Sequence, residues 1–124
     1  MKKRLYTLAF LLTLSACVNP ENMLLSAARD GDADKVAEWI SAGAEVNTTD
    51  AQGRTPLYLA VESACLPCSR ILLNEGASPH IAGPDGNTPL HIACEDANIE
   101  LVKLLLENGA HTELVNDHSE TAFT

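Results

Sequence analysis

Aromatic residues account for 4% of this 124-residue chain, two Phe, two Tyr and one Trp, so no central aromatic cluster can organise its interior. Basic residues are outnumbered too, with 8 Lys and Arg against 17 Asp and Glu for a net charge of −9. Lys2, Lys3 and Arg4 all lie at the extreme amino end; beyond them five basic residues face seventeen acidic ones, a balance of −12. Such a surface repels nucleic acid and anionic headgroups, which excludes a DNA-binding role and favours a cationic partner. There is no glycine-rich phosphate loop, no G-x-S-x-G and no convergent His/Asp/Ser set, so neither enzymatic activity, a cofactor nor a small-molecule substrate is expected. Cys65 and Cys68 lack third and fourth ligands at zinc-like spacing, and His80, His91 and His111 sit in repeat motifs or turns; no metal site is expected. No apolar run reaches membrane-spanning length. What is present is 46% apolar residues at a mean hydropathy of +0.01, in a length that suits one small globular domain.

At the amino end, Lys2-Lys3-Arg4 precedes an apolar run from Leu5 to Leu14 broken only by Tyr6, Thr7 and Thr13, the charged and hydrophobic regions of a secretory signal. The run closes on Leu14-Ser15-Ala16-Cys17. This phrase resembles the bacterial lipobox, in which small residues admit the signal peptidase and the cysteine becomes the lipidated first residue; the alternative is an ordinary secretory signal with an incidental cysteine. The resemblance implies a lipoprotein signal peptide over 1–16, lipidation at Cys17 and a tether over 17–22. It also implies more than one acyl chain, which stable anchoring requires. Val18, where an Asp would favour inner-membrane retention, implies an outer-membrane anchor facing the periplasm of a Gram-negative bacterium. The tether would reach no more than about 20 Å from the bilayer.

Everything after residue 22 keeps one beat. Thr55-Pro56-Leu57-Tyr58 recurs as Thr88-Pro89-Leu90-His91 and, in worn form, as Thr121-Ala122-Phe123, each 33 residues on. Gly43-Ala44, Gly76-Ala77 and Gly109-Ala110 mark the same interval. The chain thus resembles the ankyrin-repeat family, whose signature is T-P-L-H-x-A at a period of about 33. The resemblance implies an all-α solenoid over 23–124: three helix-turn-helix repeats (about 23–49, 50–82 and 83–115), the start of a fourth at 116–124, and short hairpin turns between them. A core of Leu, Ile, Val and Ala on adjoining helices suits the shortage of aromatics.

The first repeat opens directly on its inner helix at Leu24-Leu25-Ser26-Ala27-Ala28. Its second helix is expected over about Ala33 to Ala42, capped by Asp32 and stopped by Gly43. Lys35 and Glu38 stand where the third repeat has Leu101 and Leu104, as befits a polar capping repeat. Trp39, in register with Leu72 and Leu105, reads as core. In the third repeat Leu101, Leu104 and Leu105 follow helical spacing and read as packing residues. The closing segment encodes no polar cap: either the protein is short, with Phe123 folding over part of an open apolar flank, or the sequence is a truncated version of something longer.

Cys65-Leu66-Pro67-Cys68 is the one motif with possible reactivity. Cys65 falls in the slot of Asp32 and Asn98, the N-cap of an outer helix, with Cys68 at N3, and helix N-termini stabilise thiolates. Three readings stay open: a structural disulfide, two reduced cysteines, or a thiol–disulfide redox protein, since C-x-P-C resembles the thioredoxin-like motif although no βαβ pattern surrounds it. Cys94 aligns with Ala28 and Val61 and reads as a small buried hydrophobe.

Carried over from the family, the partner-binding surface comprises the hairpin tips and the open side of the inner helices: Gln52, Arg54, Tyr58, Glu62 and Ser63, then Asp85, Asn87, Glu95 and Asp96. Tyr58 stands where the motif has histidine, and Tyr and Arg are favoured at interface hot spots. His91 is expected to brace neighbouring loops by hydrogen bonds. The resemblance implies non-enzymatic binding of another protein, as an immunity protein against a toxic enzyme or as a scaffold for an envelope or stress enzyme.

Overall fold

The computed structural model describes residues 19–124, so the leader and Cys17 lie outside the described residues. Among these there are six α-helices and no strand. The first, α1, spans Pro20–Asp30. The Asn19 side chain accepts the amides of Glu21 (2.8 Å) and Asn22 (3.2 Å), and Pro20 supplies a ready-made helical φ at the first position. Residues 20–22, expected to be tether, are therefore the first turn of a helix. Glu21 is further held by the Glu45 amide, which donates to its carboxylate at 3.0 Å.

Helix α2 runs Ala33–Ser41, with the Asp32 carboxylate accepting the Lys35 amide at 3.1 Å. Val36, Trp39 and Ile40 are buried at i, i+3, i+4 spacing, while Lys35 and Glu38 face solvent, as a terminal repeat requires. Helices α3 (Pro56–Glu62) and α5 (Pro89–Glu95) repeat one design: Thr55 or Thr88 caps, Pro follows, and the helix is buried nearly all round. Helices α4 (Leu66–Asn74) and α6 (Ile99–Glu107) are their outer partners, capped by Cys65 and Asn98.

Inner helices α1, α3 and α5 stack in chain order, the outer helices α2, α4 and α6 stack beside them, and each inner helix packs on its own outer one. The core is correspondingly periodic. Leu24, Leu57 and Leu90, 33 residues apart, are 0%, 0% and 1% exposed. Each such burial contributes about 2 kcal/mol.

The hairpins keep the same interval. The amides of Asp50, Gly83 and Asn116 donate to the carbonyls of Arg54, Asn87 and Glu120 at 2.9, 2.8 and 2.9 Å. Successive hairpins are joined as well, the Asp117 amide donating to the Asp85 carbonyl and the Asn116 side-chain amide to Asn87 Oδ1, both at 2.9 Å. That approach requires Gly86, whose φ is +72° and where a Cβ would fall 2.9 Å from the Asp117 nitrogen.

The third copy of the threonine phrase folds differently. Thr121 donates its amide to Thr124 Oγ1 at 2.9 Å in a turn, no helix forms, and Phe123 is left 58% exposed where Leu57 and Leu90 are buried. Cys94 is consequently half-buried instead of enclosed like Ala28 and Val61, because a turn covers it where they have a helix above them. Among the described residues no helix is long and apolar enough to cross a membrane.

Candidate functional site

The surface shared by the second and third repeats starts from Asp50, which the repeat-two hairpin wraps. Its carboxylate accepts the amides of Gln52 (3.0 Å) and Arg54 (2.9 Å) and the Arg54 Nε at 2.9 Å. Burial works against the charge on Asp50, but these amides and the Arg54 guanidinium outweigh it and hold the pKa below the ordinary 3.8. Arg29 of α1 reaches the same carboxylate at 3.4 Å, tying the first repeat to the second hairpin.

Arg54, expected on the partner-binding surface, is thus paired within the chain. Beyond Asp50 it pairs through Nη1 with Glu62 at 3.2 Å and donates through Nη2 to Gln52 Oε1 at 3.4 Å. Tyr58 also departs from expectation. It is 3% exposed, its ring lying across Gly83, where a Cβ would meet Tyr58 Cε2 at 2.8 Å. It is a packing residue between repeats, not a protruding anchor. Burial first, then the charges of Glu62, Asp85 and Glu95, push its pKa above 10.0 against the opposing pull of Arg54. Carboxylates from both repeats therefore act on the same point.

Around this buried ring Gln52, Glu62, Ser63, Asp85, Glu95 and Asp96 are exposed, and Asn87 is half-buried. Ser63 is structural as well, its hydroxyl lying within bonding distance of the Ala28 (3.1 Å) and Ala60 (3.2 Å) carbonyls. Asp85 holds the hairpin tip with φ +60°. The nine expected positions thus divide: Tyr58 is buried, Arg54, Ser63 and Asn87 hold the repeats together, and the exposed remainder is Gln52 with four carboxylates.

The cysteine motif lies elsewhere. Cys65 and Cys68 are joined as a disulfide with Cα atoms 5.3 Å apart, and Cys65 Sγ accepts the Cys68 amide at 3.2 Å, filling the N-cap slot that Asp32 and Asn98 fill with oxygen. Cys65 is 9% exposed and Cys68 is fully buried. Thiol–disulfide exchange needs an attacking thiolate to reach a sulfur, and the little exposure the pair has belongs to Cys65.

His91 accepts the Thr88 amide through Nδ1 (3.1 Å), which leaves Nε2–H to donate to the Glu120 carbonyl (2.8 Å) of the next hairpin. His80 makes the parallel bond from Nε2 to the Gly109 carbonyl at 3.0 Å, and its ring lies against His111 with centroids 4.0 Å apart. Neither this pair nor the tie between Asn47 Oδ1 and the Ser78 amide (2.9 Å) has a motif to announce it. Among the described residues no group of three or more His, Cys, Asp or Glu is placed to hold a metal. A cavity of about 220 Å³ opens beside His91, lined by Asn87, Glu95, Asn116, Glu120 and Thr121. Both His91 nitrogens beside it are engaged in hydrogen bonds.

A family model of ankyrin repeats, in three copies, matches residues 11–116. The ankyrin repeat protein YahD of Escherichia coli K12 is 40% identical over 58 residues, 47% of this chain and 28% of that protein. Acyl-CoA-binding domain-containing protein 4 of rice (Oryza sativa subsp. japonica) is 47% identical over 45 residues, 36% of this chain and 13% of its own length. The 2-5A-dependent ribonuclease of Mus musculus is 34% identical over 64 residues, 51% of this chain and 9% of its own. The chain thus spans under a third of each of these relatives. The repeat interval, the capped helix pairs and the interlocked hairpins agree with the family match: the chain belongs to the ankyrin repeat family, whose stacked helices serve as a protein–protein interaction module.

Proposed function

We propose that this chain binds a basic surface of another protein through the acidic strip of Gln52, Glu62, Asp85, Glu95 and Asp96, without catalysis, while anchored by lipidated Cys17 at the outer membrane and facing the periplasm. The single observation that carries the binding reading is that Glu62 and Glu95, one repeat apart at the ends of the packed helices α3 and α5, are exposed together with Asp85 and Asp96. Rigid elements hold these carboxylates, so little ordering cost attends binding. The balance of −12 beyond the leader would steer a cationic partner in. Within this reading the chain serves as an immunity protein for a toxic enzyme or as a scaffold for an envelope or stress enzyme.

The anchor rests on the lipobox-like Leu14-Ser15-Ala16-Cys17. Because Asn19 already caps α1, only Val18 would separate the lipidated residue from the folded stack, a reach of about 7 Å. The protein would then work against the membrane surface, bound to partners at or near it.

Charge reversal tests the binding reading. The triple change of Glu62, Asp85 and Glu95 to Lys should slow association with the partner recovered by cross-linking at least tenfold, with a weaker dependence on ionic strength. Unaltered association would sink it. For the anchor, Cys17→Ala should move the protein from the membrane fraction to the soluble one, and persistent membrane association would rule out lipidation.

A further inference from the structure

The hairpins at 50–54, 83–87 and 116–120 share one register, but the middle one is built differently. At the head of the first, Asp50 Oδ1 accepts the amides of Gln52 (3.0 Å) and Arg54 (2.9 Å). At the head of the last, Asn116 Oδ1 accepts those of His118 (2.9 Å) and Glu120 (3.0 Å). The same slot in the middle hairpin is Gly83, which has no side chain to close it. Gly83 is fitted to Tyr58, because a Cβ there would lie 2.8 Å from Tyr58 Cε2. The ring and the missing clamp therefore go together.

The junctions between hairpins differ in the same sense. The last hairpin is held to the middle one and its helix by the Asp117 amide on the Asp85 carbonyl (2.9 Å), Asn116 Nδ2 on Asn87 Oδ1 (2.9 Å) and His91 Nε2 on the Glu120 carbonyl (2.8 Å). One repeat earlier these donors are replaced by Pro84, Gly83 and Tyr58. Proline has no N–H, glycine has no side chain, and the tyrosine makes no bond like the histidine's. Among the described residues, no hydrogen bond or ion pair joins the 50–54 hairpin to the 83–87 hairpin. What holds them is the Tyr58 ring against Gly83, with the Ser78 amide donating to Asn47 Oδ1 at 2.9 Å on the approach to the tips. Hydrogen bonds set a distance and an angle, whereas apolar packing is non-directional and lets a ring slide over the surface beneath it.

We propose that this junction is the joint of the stack: the hairpins at 83–87 and 116–120 swing as one unit against the hairpin at 50–54, pivoting about the tie between Asn47 and Ser78. The 50–54 hairpin stays with the first repeat, to which the pair of Arg29 and Asp50 binds it. Each hairpin keeps its own bonds, so the moving parts are rigid, and Glu62 and Glu95 keep their places because α3 and α5 remain packed. What changes is the gap between Gln52 and Asp85, both exposed at the tips, and the cover over Tyr58. The swing opens a slot with an aromatic floor in the acidic surface. It is a property of the free chain, and the inference stands without the binding reading.

The test compares the two junctions in the full chain carrying Cys17→Ala and Cys94→Ala, with Cys65 and Cys68 closed by their disulfide. Nitroxide labels are placed at Gln52→Cys with Asp85→Cys, or at Asp85→Cys with His118→Cys. All three are exposed tip positions in one register, and Asp85 is common to both pairs, so the spread of its label is matched. Freezing traps the range of openings, so electron paramagnetic resonance should give a distance distribution about twice as wide for the first pair as for the second. Adding Tyr58→His and Pro84→Asp supplies the residue types of His91 and Asp117 at the tied junction. It should narrow the first distribution to the width of the second, with circular dichroism verifying the fold. Equal widths in the two parent pairs, or a wider distribution for Asp85 with His118, would overturn the proposal, and that comparison needs no substitution at Tyr58 or Pro84. So would a broad first distribution that the folded Tyr58→His, Pro84→Asp protein leaves unchanged.

Discussion

Asp50 shows how much a single side chain carries in so small a stack. It closes its own hairpin through two amides, fixes Arg54, and receives Arg29 from the preceding repeat. Its folded pKa lies below its ordinary value, so the fold favours the ionised form. That contribution is fully present above the unfolded value and lost as pH falls through the depressed folded one. Asp50→Asn should therefore cost about 1 kcal/mol at neutral pH, with the difference from the parent closing at acid pH below the ordinary carboxylate range. Urea unfolding of both proteins as a function of pH checks the direction. Tyr58 behaves in the opposite sense to its sequence appearance: as packing, Tyr58→Ala should cost on the order of 3 kcal/mol, seen as a fall in the thermal midpoint. Tyr58→Phe should leave stability nearly unchanged, since no hydrogen bond to the hydroxyl holds the ring in place. The slot of Tyr58 was legible from the T-P-L-x phrase, but its depth was not, because Gly83, which makes room for the ring, lies in the next hairpin. The internal pairing of Arg54 was hidden for a similar reason, as its partners at i−4 and i+8 meet only once the hairpin has folded over the helix.

At the scale of the element, the caps explain both what could be read and what could not. Asp32, Thr55, Thr88 and Asn98 are cap residues by type, and the helices begin directly after them. Asn19-Pro20 is an equally good cap signal. It lies next to the leader, ahead of the first residue of the repeat phrase, and α1 gains its first turn from it. Cys65 is an N-cap by register alone, sulfur being a poor acceptor, and the bond to Cys68 fixes what the weak cap would leave loose. Closing so short a loop removes little chain entropy, so reduction should cost no more than about 2 kcal/mol and leave the helical circular dichroism largely intact. Loss of most helical signal on reduction would show that the bridge carries more than the α4 cap.

For the whole molecule, the interval of 33 residues dictated the fold because each repeat buries the flank of the one before, and Leu24, Leu57 and Leu90 record it plainly. Of the ties between neighbouring loops only the His91 brace was legible; Asn47 with Ser78, Asn87 with Asn116 and His80 with Gly109 connect positions that no local pattern links. The turn at Thr121 to Thr124 escaped as well, since the phrase that starts a helix twice starts none the third time. The central claim concerns what such a stack does, namely that its acidic strip engages a partner at the membrane. It is tested most directly by placing a photo-crosslinking amino acid at Asp85, at Glu95 and, as a control on the outer row, at Arg70, and irradiating living cells. The account predicts one discrete adduct from Asp85 and Glu95, recovered in the membrane fraction and absent from Arg70. Adducts of equal yield from all three positions, or none from Asp85 and Glu95, would contradict it.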